Sequence, residues 1–306
     1  MTNIKPYYDF GDFLKKHFPF KVRKISVNGG FTCPNRDGTT GYGGCTYCNN
    51  QTFHPDYCQP AESISQQLEK GIRFFAHKYP SMKYLAYFQA YTNTYASISI
   101  LKEKYEEALA WPGVVGLIIG TRPDCMPDSL LDYLADKART SFILIEYGIE
   151  STSDTTLLRI NRGHTFKTAA DTIQRTAQRG LLNGVHLILG LPGEDREQII
   201  QHAGIISDLP VNTLKLHQLQ IIRHTAMAEE FAQRPEQFRL YTPNEYVTLV
   251  IDFVEHLRPD IAIDRFISQS PKELLIAPDW GLKNFEFTAL INKQFKTGNT
   301  KQGRRF

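Results

Sequence analysis

No stretch of this 306-residue chain approaches the roughly 18 uninterrupted apolar residues of a membrane span. Its opening, MTNIKPYYDFGDFLKK, also lacks the apolar core of a secretory leader. Cysteine is scarce. The five present, three of them clustered, do not form the framework of a disulfide-stapled secreted domain, and they fit a reducing cytoplasm. Net charge is small, at +3, too little to diagnose a polyanionic partner. Motif-level repeats, low-complexity tracts and obvious linkers are missing as well.

What remains is an ordinary globular composition, 42% apolar and 22% charged, with enough material for a large core. Charge is unevenly placed. From Lys283 to Phe306 six basic residues face one acidic one, and Lys15, Lys16, Lys21, Arg23 and Lys24 form another basic group.

The most specific feature is CPNRDGTTGYGGCTYC, which sets Cys33, Cys45 and Cys48 in a loop rich in glycine. A structural zinc or a plain electron-transfer cluster normally takes four protein ligands. Three thiolates on a four-iron cluster leave one iron open to a substrate. The competing reading is a zinc loop completed by Cys58 or His54, although the spacing is awkward for a zinc ribbon.

Short apolar runs alternate with amphipathic stretches. Strands are expected at Lys24–Asn28, Lys83–Gln89, Val114–Gly120, Phe142–Gly148, Asn183–Leu189 and Thr213–Gln218. Helices are expected at Ser63–Tyr79, Ile98–Ala110, Ser129–Ala138, Ser153–Leu158 leading to Thr168–Arg179, and Arg196–Asp208. Six β/α units with near-continuous apolar strands predict an α/β fold, a partial (β/α)6 TIM-like barrel with a small C-terminal α+β extension. The expected divisions are residues 1–22, 23–220 and 221–306. In the last of these, Thr242, Pro243 and Glu245 spell a capped helix reaching Leu257, followed by a strand over Ile261–Phe266 and a helix over Phe285–Phe295. The cysteine loop follows the first strand, at the barrel end where active sites are built.

Beyond the cysteines, the segments FTCPNRDG, GGCTYC, YFQAYTNTYA, GTRPDC, EYGIES, RINRGHT, LILGLPGE and LLIAPDW run nearly the length of the chain. Together they resemble the radical S-adenosylmethionine (SAM) superfamily, and within it a small bacterial group related to the catalytic subunit of Elongator. The resemblance implies a [4Fe–4S] cluster on Cys33, Cys45 and Cys48, which are then also the catalytic residues. The open iron takes SAM by its amino and carboxylate groups. One electron then releases methionine and a 5′-deoxyadenosyl radical, which needs a dry, closed cavity.

Polar groups at later strand ends are expected to hold SAM. Gln89, Thr92 and Asn93 stand where many members of the superfamily carry Gly-Gly-Glu, so they must act through neutral groups; the alternative is plain turn chemistry. Glu146 and Glu150, in IEYGIES, are candidates for the ribose hydroxyls or the SAM ammonium. Glu150 could instead cap a helix with Ser151. In RINRGHT a guanidinium suits the SAM carboxylate, and Arg162 is favoured over Arg159. Gly190, Pro192 and Gly193 of LILGLPGED are a candidate bed for adenine. His164, His186 and His217 read as structural, and Cys58 and Cys125 as buried or incidental thiols.

Kinship with Elongator, which acts on the C5 side chain of wobble uridine in tRNA, implies a tRNA nucleoside as substrate. The basic C-terminal segment fits such a partner, though a solvated tail would look the same. The chain is expected to lack the acetyltransferase domain of that relative. A reducing donor such as flavodoxin or ferredoxin is implied. The rivals are the same chemistry on a small metabolite or peptide, and a non-enzymatic iron–sulfur protein for electron transfer or scaffolding.

Overall fold

The structure is a computed structural model that describes residues 5–52, 55, 57–76 and 82–306. Strands β1 (Val22–Val27), β2 (Lys83–Phe88), β3 (Val114–Thr121), β4 (Phe142–Glu150), β5 (Leu182–Leu189) and β6 (Thr213–Gln218) lie side by side in chain order, all parallel. Helices α2 (Ile64–Ala76), α3 (Ile98–Ala110), α4 (Asp128–Lys137), α5 (Asp154–Arg159) with α6 (Phe166–Gln178), and α7 (Arg196–Ser207) provide the crossovers. The six expected β/α units are therefore present. The last three residues expected in the first helix, through Tyr79, lie outside the described residues.

A seventh parallel strand, β8 (Ala262–Arg265), adds to β6. It comes from the C-terminal part of the chain, after α8 (Ala226–Gln233) and α9 (Pro243–Glu255). Thr242 caps α9 as expected: its hydroxyl accepts from the Glu245 amide, and the Glu245 carboxylate accepts from the Thr242 amide. A two-stranded antiparallel pair, β7 (Ile221–Ile222) and β9 (Leu275–Ala277), and the helix α10 (Asn284–Thr297) complete this part.

The period-two alternation of the strands separates two environments. Ala86, Leu117, Ile119, Ile143, Ile145 and Tyr147 pack under the helices. Their neighbours Leu85, Ile118, Leu144 and Ala262 instead form one cluster with Phe10 and Phe13. Those phenylalanines belong to a short N-terminal helix, α1 (Phe10–His17), which plugs the start of the barrel. Each buried ring contributes about 1.5–3 kcal/mol. One pleat further along β2 and β4, the inward positions are Tyr87 and Glu146, so the interior turns from oily to charged.

The barrel is not closed. In the sheet β1 and β8 are the two ends, and each pairs with one neighbour. The segment before α1 bridges this side, where the Ile263 amide donates to the Tyr8 carbonyl at 2.8 Å. The C-terminal segment is docked rather than frayed: Gln302 accepts from the Tyr8 amide and donates to the Arg258 and Ile261 carbonyls.

Candidate functional site

The strand ends surround a cavity on whose wall Cys33, Cys45 and Cys48 all stand. Their loop is held by its own polar residues. Asn35 donates through Nδ2 to the Asn161 carbonyl at 2.5 Å, and Arg36 donates to the Cys48 carbonyl at 2.7 Å. Three N–H groups also point at sulfur: Asn35 Nδ2 to Cys45 Sγ at 3.6 Å, Arg162 Nη1 to Cys45 Sγ at 3.5 Å, and Asn50 Nδ2 to Cys48 Sγ at 3.8 Å. A neutral thiol is a weak acceptor, whereas a thiolate or a cluster sulfide is a strong one. The loop is thus built for negative sulfur.

Burial, with Cys45 nearby, works against that charge and pushes the Cys48 thiol up to about 11, so ionisation needs a metal to displace the proton. Burial works against the charge of Arg36, but Cys48 and Cys33 outweigh it and strengthen the guanidinium. Arg162 behaves likewise, opposed by burial and held charged by Cys45, Tyr47 and Glu150.

Arg162 leaves the turn after α5 and runs inward, donating through Nη2 to the Gly148 carbonyl and lying 3.8 Å from Glu150. The Glu150 backbone is left-handed at φ 67°, at a bulge in β4, which turns its carboxyl to the cavity. Burial raises that carboxyl, with Arg162 pulling the other way. A Cβ on Gly148 would stand 2.5 Å from Glu150 Oε1 and 3.0 Å from Arg162 Nη2, so any larger residue would displace this pair. Five buried polar atoms of cavity-lining residues lack a hydrogen-bond partner among the described residues: Arg162 Nε, Arg122 Nη1, Thr92 Oγ1, Glu146 Oε1 and Arg265 Nε. Such atoms carry a desolvation cost that a ligand removes.

The opposite wall and floor are charged. Glu146, 1% exposed, accepts from Lys215 and lies 3.2 Å from His186 Nε2; its Oε1 is 3.7 Å from Lys24. Burial would raise this carboxyl, but Lys215 and Lys24 win and hold it well below the usual range. Lys24 and Lys215 both reach Asp264 as well. Burial and Lys215 bring His186 down to about 4, and burial and Arg265 press His217 well below its ordinary value, so both rings are neutral near pH 7.

Family models match over most of the chain: the Radical SAM superfamily over residues 30–205, and the Radical_SAM C-terminal domain over residues 211–297. The chain belongs to the radical SAM superfamily. YtqA of Bacillus subtilis, an uncharacterised protein, is 35% identical over 302 residues, covering 99% of this chain and 93% of that one. Elongator complex protein 3 of Schizosaccharomyces pombe is 29% identical over 164 residues, which is 53% of this chain and 29% of that protein. Among solved structures, the archaeal Methanocaldococcus infernus Elp3 superposes with a TM-score of 0.67 at 16% identity, over 92% of this chain and 64% of that one. This radical-SAM group is therefore related to Elp3, and the curled parallel sheet is shared with it.

A radical-SAM protein uses a [4Fe–4S] cluster and SAM, and these are the cofactors of this chain. The cavity fits them. Three thiols share one wall with donors aimed at sulfur, and Arg162 and Arg122 on the same cavity each keep a buried N–H without a partner among the described residues. Among the described residues, no three His, Cys, Asp or Glu side chains converge tightly enough for a single ion. Thiolates spread over a four-iron body need no such convergence. Cys58 lies fully buried away from this wall, its thiol donating to the Ser26 carbonyl at 3.1 Å, and His54 lies outside the described residues.

Of the residues picked out in the sequence, Gln89, Thr92, Glu146, Glu150 and Arg162 line the radical-SAM cavity with the cysteines. Gln89 donates to the Ser26 hydroxyl at 2.8 Å. Asn93 lies behind the wall, where its Nδ2 straps the Ala90 carbonyl to that of Gly120. Gly190 and Pro192 are not on the wall either. Gly190, at φ 92°, packs against Tyr241. Arg159 points outward to Glu230 and Gln237. His164 is off the wall, while His186 and His217 are on it. Sequence reasoning passed over Asn35, Arg36 and Asn50, whose signal was their position in and just after the cysteine loop. It also passed over Arg122, which directly follows β3 and pairs with Asp124 at 2.8 and 2.9 Å. Lys215 and Arg265 carried no local signal. No described helix is long and apolar enough to cross a membrane.

Proposed function

We propose that this radical-SAM enzyme holds its cluster on Cys33, Cys45 and Cys48 and acts on a tRNA nucleoside, at the side chain of the wobble uridine, without transferring acetyl groups. The observation that carries the first half is the convergence of three cysteines, three sulfur-directed N–H donors and the Arg162–Glu150 pair on one cavity. When bound, the reduced cluster supplies the electron that splits SAM into methionine and a 5′-deoxyadenosyl radical.

The chain's own residues do the positioning. Arg162 neutralises sulfur charge at Cys45 and keeps its Nε without a partner among the described residues, a donor that would suit the carboxylate of SAM. Glu150, Thr92 and Gln89 offer hydrogen bonds to the hydroxyls and ammonium of SAM. The apolar layer around Phe10 and Phe13 packs the bottom of the barrel beneath the charged floor. A flavodoxin- or ferredoxin-type donor supplies the electron.

The second half is supported by sequence kinship to Elongator complex protein 3 and by the basic residues exposed on and after α10, Lys293, Lys296, Lys301, Arg304 and Arg305. Two measurements test it. Replacing any one of the three cysteines by Ala should drop iron and sulfide in the anaerobically reconstituted protein to background and abolish 5′-deoxyadenosine formation. A full cluster in such a variant would refute the ligand assignment. Nucleoside mass spectrometry of tRNA from cells lacking the protein should show a missing or immature uridine derivative. An unchanged profile would overturn the tRNA reading in favour of a small metabolite or peptide.

A further inference from the structure

A second cavity, of about 700 Å³, opens on the side of the barrel between β1 and β8 and runs out along α10. It shares Tyr87, Lys215's neighbour on the floor, and Arg265 with the catalytic cavity, so the two meet at these side chains. Its charges are mostly spoken for. Asp264 is paired with Lys24 and Lys215, and Asp9 with Lys5. Arg265 differs. Among the described residues it has no carboxylate within ion-pair reach; its Nη2 lies 3.1 Å from His217 Nε2, and its buried Nε has no partner. Since burial and Arg265 itself keep His217 neutral, that ring does not offset the charge. A cation left over at the junction of two cavities is suited to an anionic oxygen.

The outer end of the same cavity has different chemistry. Asn284 presents a buried Oδ1 with no hydrogen-bond partner among the described residues, an acceptor for an N–H. Phe285, beside it on α10, is 69% exposed, an unusual state for a large ring. The exposed face of α10 continues from Phe285 through Ala289 and Lys293 to Lys296, one helical stripe leading away from the mouth. A guanidinium with no carboxylate partner among the described residues inside, an acceptor and a bare ring at the mouth, and lysines beyond it match a phosphate, a base edge, a base face and a continuing strand, in that order.

We propose that this lateral cavity is a second ligand site that takes one nucleotide of the RNA substrate, with its phosphate on Arg265, its base stacked on Phe285 and a base N–H on Asn284. It would hold a nucleotide next to the one presented to the catalytic cavity. The inference rests on the tRNA reading above.

The test uses the anaerobically reconstituted full chain and its R265Q, R265K and F285A variants in gel shifts with bulk tRNA at several salt concentrations. R265Q should weaken binding about tenfold and reduce the log–log salt slope by about 1, with R265K restoring the slope. F285A, a change at an exposed position, should weaken binding several-fold with the slope unchanged. SAM binding is measured on the same samples by equilibrium dialysis. Wild-type affinity and slope in both variants would overturn the proposal, and so would loss of SAM binding in R265Q, which would place Arg265 in the SAM site. If the wild-type chain shows no salt-dependent tRNA binding, the tRNA reading fails, and dialysis with uridine monophosphate and with uridine decides the cavity separately. Binding of the monophosphate alone, lost in R265Q, keeps the site as one for free nucleotides. Binding of neither removes it.

Discussion

Lys215 lies inside the barrel 4% exposed, and the chain keeps it there only by surrounding it with Glu146, Asp264 and the Tyr87 hydroxyl. Stripping one partner from a buried pair costs about 3–5 kcal/mol, because the survivor is left charged and dry. Lys215→Met should lower the unfolding free energy from urea titration by an amount of that order, and adding Glu146→Gln should recover part of it. The same floor sets a pH dependence. The folded-state value of His186, about 4, lies below the 6.5 of the unfolded chain. Between those values the unfolded state binds a proton that the folded state refuses. Stability therefore falls as pH drops from 6.5 towards 4, by about 1.4 kcal/mol per pH unit for this group. Urea unfolding of His186→Gln across that window should show a slope shallower by about one proton. Little of this was legible beforehand. Glu146 stood out as an acid closing an apolar run, but its partner lies 69 residues on, in a strand whose sequence TLKLHQ reads as ordinary alternation. The cysteines and Arg162 were legible because short-range spacing carries their chemistry. Arg265, Lys215 and Arg122 acquire theirs only when strands distant in sequence become neighbours.

Helix α9 shows where local rules suffice, and α1 where they do not. Thr242, Pro243 and Glu245 carry a start signal strong enough to place the first turn from sequence, and the reciprocal cap is there. Thr242→Ala should cost about 1 kcal/mol, read as a shift in the denaturation midpoint. The α1 segment has only eight helical residues, too few for periodicity to announce it, and its stability comes from tertiary packing. Phe13→Ala should cost about 3–5 kcal/mol, since the hole it leaves is lined by Phe10, Leu85 and other strand residues that cannot collapse into it. The strands β7 and β9, of two and three residues, were equally invisible. The six β/α units were readable because β2 to β6 are mostly buried apolar runs and helices such as α2 and α6 show an apolar stripe.

Taken whole, the molecule is a sheet of seven parallel strands whose ends are drawn together by segments from both halves of the chain. β8 was expected as a strand; its place as the seventh member of the sheet was not, because four residues say nothing of which neighbour they join. Gln302 is the tie. Its side chain serves Tyr8, Arg258 and Ile261, and its amide donates to the Pro6 carbonyl at 2.8 Å. Gln302→Ala should cost about 1–3 kcal/mol, the price of leaving those groups unpaired. It should also speed hydrogen exchange at the Tyr8 and Ile263 amides more than in α6, and equal rates there would refute the tie. The tie has a further consequence in time. A contact between residues 6 and 302 spans nearly the entire sequence, and chains fold from the N-terminal side as they are made. The cysteine loop and strands β1 to β6 can assemble long before Gln302 exists. Until then the Tyr8 amide and the Pro6 carbonyl lack this partner, so fastening the N-terminal segment across the β1–β8 side belongs to the last stage of synthesis.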